Sequence, residues 1–478
     1  MQTVVTSLNC PPFSNELRTL LTGKQLLQDE VLTKFPQQVI DTHHQNGYLI
    51  YEPSIIIEKH TTRCMRCHNT QNSLFAKHHC ARCQKICTYC RNCINMGKAS
   101  SCSSIVKWMG PQKPRYSIPT QPVLIWTGIL SKPQQHASQK LVQAIQTKTS
   151  TLVHAVCGAG KTEMLFEAIA YALTSQQRIC IATPRRDVVK ELYPRLQQAF
   201  ATTKIEALYG GSDQRNDEAQ LTIATTHQLY RYRHAFDVMI IDEVDAFPFS
   251  ADDTLMQAAE NARTPDSTRI FVTATPNKGM MQSVKKGELQ YIHITARYHG
   301  HPLPEPTTKW IGNWKKTLDR KRLPCSFQKW LEPRIKNQRP ILIFMPDIES
   351  MHKIESILQS KSTTTKLASV HAQDPDRTHK VQQMRNSEIQ LLLTTTILER
   401  GVTFSKVEVA VFAAEKTIFT ESALVQIAGR AGRDQHHPTG DVTFFHFGHT
   451  KAIIKARQHI QRMNREAKKG GWLKGDNQ

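Results

Sequence analysis

Short apolar runs rich in β-branched residues alternate with segments of helical periodicity over two stretches of the chain. Between Val123 and His293 the runs are TLVHAV, RICIAT, LTIATT, VMIIDE and RIFVTAT. From Pro340 onward they are RPILIFMP, KLASVHA, EIQLLLTTT, VEVAVFAA and GDVTFFHF. Runs of this kind, ending in small or polar residues, are typical of buried parallel strands with the chemistry at their carboxyl ends. The pattern predicts an α/β fold with two parallel sheets, in two lobes with a cleft between them.

The remaining segments suggest how the chain is divided. Gly110 to Pro122, with four Pro in thirteen positions, has the composition of a linker. Eight Lys or Arg, periodic apolar positions and a GG break predict a basic helix with a frayed end at the C-terminus. The expected parts are an N-terminal region (1–60), a Cys-rich zinc-binding module (61–110), a first α/β domain (111–300), a connector (301–335), a second α/β domain (336–450) and a basic tail (451–478).

The net charge and its distribution along the chain indicate what kind of molecule the protein binds. The 478 residues carry a net charge of +22, and no Asp or Glu occurs from Lys59 to Thr162, where 15 Lys or Arg do. Such a stretch favours phosphate backbones or anionic headgroups, and a face kept charged for solubility is the alternative. With 39% hydrophobic residues, wholesale disorder is excluded. Neither a secretion signal nor an apolar run of membrane-spanning length is present, so we expect a cytoplasmic protein.

A phosphate-binding loop is predicted where CGAGKTE stands between a strand run and a helical segment. Gly158 and Gly160, on either side of Ala159, allow backbone N–H groups to approach phosphates closely. Lys161 adds positive charge, and the Thr162 hydroxyl can bind Mg²⁺. The start of the following helix favours an anion further. An Ala stands where such loops usually have their first Gly.

Two further motifs complete the expected chemistry. Asp242 and Glu243 follow an apolar strand, where the first can hold Mg²⁺ and the second can polarise the attacking water. Capping of the next helix is the alternative role for this acidic pair. In QIAGRAGR, Arg430 and Arg433 are three residues apart and would share one face of a helix. There they could act as arginine fingers on the γ-phosphate or bind nucleic-acid phosphates.

In their order along the chain, these motifs resemble the second superfamily of helicases over residues 123–450. LSKPQQHAS resembles the glutamine motif, in which Gln134 or Gln135 would read adenine. AVCGAGKT resembles motif I, ATPRRDVVKEL motif Ia, DEVD motif II, TATP motif III, LLLTTTILERGVTF motif V and QIAGRAGR motif VI. The resemblance implies two tandem RecA-like domains, each a parallel sheet with flanking helices. It also implies a nucleic-acid-dependent ATP hydrolase that uses ATP and Mg²⁺.

Within that superfamily the chain looks like the ComFA family of competence proteins. The Cys cluster ahead of the core, TTHQLYR, DEVDAFPF, ARYHGHPLP and the ERGVTF/QIAGRAGR pair carry this resemblance. It implies a motor on single-stranded DNA that drives uptake of transforming DNA at the cytoplasmic face of the membrane. It further implies the ComEC channel, ComFC and DprA as partners, and a homo-oligomer is left open.

The resemblance also implies roles for individual residues. Lys161, Asp242, Glu243, Arg430 and Arg433 would be catalytic, with Thr162 and Asp242 at Mg²⁺. The residues implied to lie at the nucleotide are Gln134, Gly158, Ala159, Gly160, Lys161, Thr162, Gly401 and Gln426. The residues implied to lie along the strand path are Pro184, Arg185, Thr225, Thr226 and Thr395. Thr273 and Thr275 would couple hydrolysis to the strand.

Eight of the twelve Cys lie between residues 61 and 110, spaced largely as CxxC pairs. This is the ligand spacing of structural Zn²⁺ sites, and disulfides are disfavoured in a reducing cytosol. We expect one zinc on Cys64, Cys67, Cys80 and Cys83. The set for a second zinc is Cys87, Cys90, Cys93 and Cys102, with His68, His78 and His79 as substitute ligands. Flanking Lys and Arg would let this module touch DNA or a partner protein.

Three other functions compete with the motor. A replication-restart helicase shares QxAGRAGR but normally carries its Cys cluster between the helicase motifs. An RNA helicase is disfavoured by Gln426 and by the absence of a SAT-type motif III. A zinc-containing DNA-binding adaptor could bind ATP without using it, although Glu243 argues against an inactive core.

Overall fold

The computed structural model describes residues 12–59, 61–112, 116–361, 366–402 and 404–474. Residues 113–115 of the predicted linker and 475–478 of the predicted tail lie outside this part of the chain. Along it the α-helices are α1 (Asn15–Leu21), α2 (Gln28–Leu32), α3 (Gln37–Gln45), α4 (Lys132–Gln146), α5 (Phe166–Thr174), α6 (Arg186–Ala199), α7 (Asp253–Ala262), α8 (Lys278–Lys285), α9 (Trp314–Asp319), α10 (Cys325–Lys336), α11 (Ile348–Lys361), α12 (Arg377–Arg385), α13 (Glu421–Ala428) and α14 (Lys451–Lys469).

The strands are β1 (Leu26–Leu27), β2 (Leu49–Pro53), β3 (Ile55–Ile57), β4 (Thr62–Cys64), β5 (Phe75–His79), β6 (Ile86–Cys90), β7 (Ser104–Trp108), β8 (Thr151–Ala155), β9 (Ile179–Thr183), β10 (Ile205–Leu208), β11 (Leu221–Thr225), β12 (Phe236–Asp242), β13 (Arg263–Thr273), β14 (Gln290–Ile294), β15 (Thr307–Trp310), β16 (Ile341–Phe344), β17 (Leu367–Val370), β18 (Leu391–Thr394), β19 (Glu408–Val411) and β20 (Val442–His446). All ten apolar runs that the sequence pattern marked as strands are strands. The described residues fall into two compact units: 12–126, 142–150 and 167–271 form the first, and 127–141, 151–166 and 272–474 form the second.

The strands at the centre of the first unit lie in the order β10-β11-β9-β12-β13, and those from β10 to β12 pair in parallel. Every residue of β9 and β11 is buried, as expected for strands covered on both faces. The sequence pattern missed β10, because Glu206 interrupts its apolar run. That carboxylate is 1% exposed and accepts a hydrogen bond from the Thr222 hydroxyl at 2.8 Å.

The N-terminal part of the first unit is a small module of its own elements. Strands β1, β7 and β2 form an antiparallel sheet, on which α1 to α3 enclose a core that includes Leu17, Ile40 and Trp108. Two hairpins, β3–β4 and β5–β6, lie between β2 and β7 in the sequence and carry most of the Cys cluster. Residues 12–59, for which the sequence predicted no structure, therefore supply these three helices and two strands of the antiparallel sheet.

The second unit contains the second sheet, whose order is β15-β20-β19-β16-β18-β17 with all neighbours parallel. In the same unit β8 pairs in parallel with β14. Helix α10 packs Phe327 against Phe412 and Phe445 of the sheet side, with ring centroids 5.1 and 5.2 Å apart in edge-to-face geometry. The two parallel sheets confirm the predicted α/β fold.

The segment predicted as a connector, 301–335, contains regular structure. Strand β15 pairs with β20 at the edge of the second sheet, and α9 and all but the last residue of α10 follow it. The sequence TTKW of β15 is largely exposed and has no apolar alternation. An edge strand with one open side needs no such pattern, which is why the sequence did not reveal it.

Helix α14 confirms the basic helix predicted for the tail. Its buried positions recur every three or four residues, as in an amphipathic helix. They are Ile453, Ala456, His459, Ile460, Met463 and Ala467. After the helix, the Lys474 N–H donates to the Gly300 carbonyl at 2.8 Å, and the rest of the predicted frayed end lies outside the described residues. No helix in the described part of the chain is both long and apolar enough to cross a membrane.

A cluster of histidines anchors α14 within the second unit. The ring of His459 lies 5.9 Å from that of His154 in β8, and His154 stacks on His293 of β14 at 4.6 Å. Burial and the nearby Arg462 lower the pKa of His459 to about 4. Burial likewise lowers the pKa of His154 to about 3. The folded chain therefore holds both imidazoles neutral at pH 7.

Lowering the pH should reduce the stability that these buried neutral histidines give to the folded chain. Unfolded His459 takes up a proton near an ordinary pKa of about 6.5, and folded His459 does not until about pH 4. The free energy of unfolding should therefore fall from pH 7 to pH 5, with about 2 kcal/mol of that fall due to His459. His459→Gln should lose this part of the pH dependence in urea unfolding, whereas the exposed His379→Gln should keep it. An unchanged pH dependence in His459→Gln would contradict the assignment.

Candidate functional site

The phosphate loop follows β8 and lies in the second unit. Its backbone turns through Gly158 (φ +81°) and Gly160 (φ +72°), a left-handed conformation that suits glycine. Under the loop, the Nε2 of Gln134 donates to the carbonyls of Ala159 at 2.9 Å and Gly160 at 3.3 Å. A Cβ on Gly160 would overlap that nitrogen, so no side chain fits there.

Gln134 is held at both ends of its amide. Its Oε1 accepts from the backbone N–H and the hydroxyl of Ser131 at 2.8 and 2.9 Å. Gln134 is 4% exposed, whereas the adjacent Gln135 is exposed. The sequence assigned Gln134 to adenine, but its amide lies on the backbone of the phosphate loop. It therefore ties the start of α4 to the loop.

The residues after the loop differ from the predicted strand–loop–helix order. Lys161 and Thr162 lie in a turn and are half-buried. A 3₁₀ turn, Glu163–Leu165, follows, and α5 begins only at Phe166. The expected helix N-terminus beside Lys161 is thus displaced by one turn. Ala155, where such loops usually have Gly, is the last residue of β8 and fully buried, so no special backbone conformation is needed there.

The acidic pair lies at the end of β12 in the first unit. Asp242 accepts a hydrogen bond from the Glu243 N–H at 2.9 Å, and Glu243 has a φ of +56°. Such a φ is uncommon for a residue with a side chain, and strain of this kind clusters at functional sites. Helix α7 is capped by Asp252, which accepts from the Thr254 N–H. Capping of the next helix is therefore excluded for the acidic pair.

Neither arginine of QIAGRAGR lies on a helix, and the prediction that they share a helix face is wrong. Helix α13 ends before Gly429, so the arginines belong to the following loop. Arg430 is 1% exposed, and its guanidinium donates to the carbonyls of Glu399, at 3.0 Å, and Val402. Arg433 is half-buried, with Nε donating to the Gly429 carbonyl at 2.9 Å. The two arginines therefore occupy different environments.

The loop of motif VI lies directly against the phosphate loop. A Cβ on Gly429 would overlap the Cβ of Cys157 and lie 2.9 Å from its Sγ, so glycine is required for this approach. The Cys157 thiol donates to Oε1 of Gln426 at 3.0 Å. Gln426, expected near the nucleotide, is thus brought to the phosphate loop. Gly401, with the same expected role, has a φ of +72°.

Motif III connects to α13. Thr273 is fully buried, and its hydroxyl accepts from the Thr275 N–H at 3.0 Å. The Thr275 hydroxyl lies 2.8 Å from the Ser422 hydroxyl in α13. Arg400 donates to the Ser422 hydroxyl at 3.1 Å. Sequence reasoning missed Ser422, which links motif III to motif V through one hydroxyl group.

The residues expected along the strand path are mostly covered. Pro184, Thr225 and Thr226 are buried, and Arg185 and Thr395 are half-buried. Sequence reasoning missed a neighbouring group on α6 of the first unit. Arg186 and Lys190 lie over the ring of Tyr209, at 5.1 and 5.7 Å from its centroid. The signal was present, since the two cations are one helical turn apart in motif Ia.

The eight thiols form two groups, but not the predicted ones. The inner Cys set is Cys64, Cys67, Cys90 and Cys93, and the outer Cys set is Cys80, Cys83, Cys87 and Cys102. The prediction that consecutive thiols share a metal is wrong, because the β5–β6 hairpin folds the chain back. Its tip carries Cys80 and Cys83, and its return brings Cys90 to Cys67. The ligand sets therefore interleave along the sequence.

Both sets fit a tetrahedral metal. Tetrahedral Zn²⁺ with Zn–S bonds of about 2.3 Å places sulfurs about 3.8 Å apart. The Sγ distance is 3.8 Å for Cys64–Cys93, 3.6 Å for Cys67–Cys90 and 3.6 Å for Cys80–Cys102. In the outer Cys set Cys83 and Cys87 are closer, at 3.2 Å.

Nearby side-chain N–H groups can also stabilise the negative charge of thiolate ligands. Asn92 donates toward the Sγ of Cys67 at 3.7 Å, and Asn69 toward that of Cys90 at 3.9 Å. Such donors around the ligands are typical of structural zinc sites. No histidine belongs to either set among the described residues. Each of the two Cys sets could therefore hold a Zn²⁺ ion.

The inner Cys set is joined to the α/β part of the first unit. Asn92, between Cys90 and Cys93, donates to the Thr254 hydroxyl at 2.8 Å, and that hydroxyl lies 2.6 Å from the hydroxyl of Tyr230. Arg66, between Cys64 and Cys67, pairs with Glu30, which also pairs with Arg231 at 2.7 Å. Both routes end near the Thr226–Arg231 turn, which begins with Thr226, one of the residues expected along the strand path.

Comparison with known proteins now decides the family. The family model described as the competence protein ComFA N-terminal domain matches residues 8–107. The Competence protein ComFA of Bacillus subtilis (strain 168) is 47% identical over 96% of this chain and 97% of that protein. That of Streptococcus pneumoniae R6 is 40% identical over 79% of this chain and 86% of its own length. The chain belongs to the ComFA family.

The ATPase parts of this ComFA chain match helicase families. The model described as the type III restriction enzyme res subunit matches residues 128–278, and that of the helicase conserved C-terminal domain matches residues 325–435. The Replication restart protein PriA of Rickettsia prowazekii is 22% identical over 64% of this chain and 61% of that protein. The helicase-type ATPase domains expected from the sequence are therefore confirmed.

Solved structures give the same fold. S. cerevisiae Dbp5 bound to RNA and ADP BeF3 aligns with a TM-score of 0.53 and 15% identity, covering 70% of this chain and 87% of that one. The DEAD-box helicase Mss116 bound to ssRNA and UDP-BeF aligns with a TM-score of 0.54 and 16% identity, covering 66% and 70%. These likenesses concern the fold, and they confirm two RecA-like domains in this ComFA chain.

Metal content should follow the two Cys sets. Because each set offers four thiolates, the purified ComFA chain should contain two Zn²⁺, and Cys64→Ser or Cys80→Ser should each reduce this to one. Elemental analysis measures the number directly. The exposed Cys325→Ser serves as control and should keep both ions. A single Zn²⁺ in the unsubstituted chain would refute the two-site assignment.

Nucleotide selectivity should distinguish the roles of Gln134 and Gln135. If Gln134 only supports the loop, Gln134→Ala should weaken ATP and GTP binding alike, by about tenfold for the lost hydrogen bonds. Binding of fluorescent ATP and GTP derivatives measures this. Gln135→Ala is the matched control and should change neither affinity. A selective loss of ATP over GTP in Gln134→Ala would show instead that it reads adenine.

Proposed function

We propose that this ComFA-family chain is an ATP-driven motor that moves single-stranded DNA during uptake of transforming DNA in competent cells. One observation carries the proposal: the 47% identity to the B. subtilis Competence protein ComFA extends over 96% of the chain, including the Cys module and both helicase parts. A relative matched only in its ATPase core would support nothing beyond a helicase fold.

In this proposal the ATP phosphates bind at the loop after β8. Lys161 supplies positive charge, the Thr162 hydroxyl and Asp242 hold Mg²⁺, and Glu243 takes the proton of the attacking water. Bound Mg²⁺ neutralises charge that develops on the phosphates. Arg433 is the arginine finger, because it is the half-buried member of its pair. Arg430 instead holds its loop to the backbone of motif V.

Strand binding is assigned to phosphate contacts and stacking, which makes sequence preference low. Arg185, Arg186 and Lys190 with the ring of Tyr209 supply the cations and aromatic surface that single strands require. The net charge of +22 supports the same partner. Thr275 and Ser422 couple hydrolysis to the grip on the strand, since they join motif III to α13.

The setting of the motor follows the family resemblance. We place it at the inner face of the membrane, receiving the strand from the ComEC channel and working with ComFC and DprA. A homo-oligomer remains part of this proposal. The N-terminal ComFA domain supports this setting over replication restart, because it covers residues 8–107 with both Cys sets ahead of motif I.

ATP hydrolysis tests the proposal. The rate should rise strongly with single-stranded DNA and less with duplex DNA or RNA, as measured by phosphate release. Glu243→Gln should lower kcat by about 100-fold or more, because it removes the general base. The exposed Glu288→Gln is the matched control and should hydrolyse ATP normally.

Each alternative gives a distinct result in the same assay. An ATPase that responds to no nucleic acid would favour the adaptor and refute the motor. Stimulation mainly by branched duplexes, with unwinding, would favour replication restart. Stimulation mainly by RNA would favour an RNA helicase.

A further inference from the structure

One arginine outside the helicase motifs lies at the phosphate loop. Arg297, in the ARYHG segment after β14, is 2% exposed. Its Nη2 donates to the Ala431 carbonyl at 2.8 Å, and its Nη1 donates to the Gly432 carbonyl. His299 also approaches the Gly432 carbonyl, at 3.2 Å. The ARYHG segment therefore grips the loop that carries the arginines of motif VI.

The other side of Arg297 faces the phosphate loop. A Cβ on Gly158 would lie 3.5 to 3.6 Å from Cγ, Cδ and Nε of Arg297. The next residue, Tyr298, donates its N–H to the Gly158 carbonyl at 3.0 Å. The Nε of Arg297 is buried and has no hydrogen-bond partner among the described residues. Arg297 is thus enclosed between the phosphate loop and the 429–433 loop.

The charge of Arg297 makes this placement costly for a purely structural residue. Burial, with the nearby positive charge of Arg433, lowers the pKa of Arg297 to about 10. The guanidinium therefore stays charged at neutral pH, and its recorded hydrogen bonds go to backbone carbonyls. Burying a cation beside another cation destabilises a fold, so a residue that does so is more readily explained by a function than by stability. A methionine would fill the same volume without that cost.

We propose that Arg297 is a positioning residue for ATP hydrolysis, which holds the 429–433 loop on the phosphate loop and thereby sets where Arg433 meets the γ-phosphate. The inference rests on the proposed function, because it needs ATP turnover and Arg433 as the finger. Arg297 acts through the two carbonyls that it binds. The close contact between Gly429 and Cys157 also holds the 429–433 loop against the phosphate loop. The guanidinium fork fits this task better than an ammonium group, since it reaches both carbonyls at once.

The test is a double-mutant cycle on strand-stimulated hydrolysis. Arg297→Met should lower kcat by about 100-fold, which is what a misplacement of about 1 Å costs, with the KM for ATP changed less than about threefold. Arg297→Lys keeps the charge and one donor and should recover part of kcat. Because Arg297 acts through Arg433, the pair Arg297→Met and Arg433→Met should be no slower than Arg433→Met alone. The exposed Arg339→Met is the matched control.

Folding is followed beside the kinetics by thermal unfolding and by counting nucleotide-binding sites. If Arg297→Met has fewer nucleotide-binding sites per chain than the unsubstituted protein, the kinetic comparison is made with Arg297→Lys instead. Arg297→Lys retains the buried charge. Wild-type kcat in Arg297→Met, or losses that multiply in the double variant, would overturn the inference while leaving the motor intact. No ATP hydrolysis in the unsubstituted protein would overturn both.

Discussion

The approach of the Gly429 backbone to Cys157 is the contact on which the nucleotide end of the second unit depends. It leaves no room for a side chain at position 429, the residue at which α13 ends. Gln426, a turn earlier, reaches the phosphate loop, and the two arginines that follow leave the helix in different directions. A helix continued by one more turn would have placed both arginines on one face. Because α13 ends at this glycine, both arginines lie in a loop, where Arg430 is buried against motif V and Arg433 is half-buried.

In the first unit, side chains beside the inner Cys set connect it to the α/β part. Asn92, inside one CxxC pair, donates directly to Thr254 of the α/β part, and Arg66, inside the other, pairs with Glu30 of α2, which in turn pairs with Arg231. Because a structural metal orders its ligand loops, it also orders whatever those loops hold. The Thr226–Arg231 turn is therefore supported from the metal side as well as from its own strand. The outer Cys set has two half-buried ligands, Cys83 and Cys102, and fewer such ties.

The sequence predicted correctly those features that depend on residues close together in the chain. The ten buried strands could be recognised because each is a short apolar run, and the glycines of the phosphate loop because few other residues adopt their conformations. Three features depend on contacts distant in sequence and were missed or misjudged. The Cys pairing depends on a hairpin, β15 pairs at the edge of a sheet without apolar alternation, and Gly429 at the end of α13 is required by the approach of Cys157. Arg297 lay in a quoted family motif, but nothing in its spacing revealed its two carbonyl partners.

Interleaving of the two Cys sets also affects how the module is assembled during synthesis. The first four thiols of the cluster to leave the ribosome are Cys64, Cys67, Cys80 and Cys83, which are two members of each native set. A tetrathiolate is therefore available to Zn²⁺ before either correct site is complete. Cys93 completes the inner set, and Cys102, nine residues later, completes the outer one. If Zn²⁺ binds during translation, ligand exchange rather than first capture establishes the final coordination.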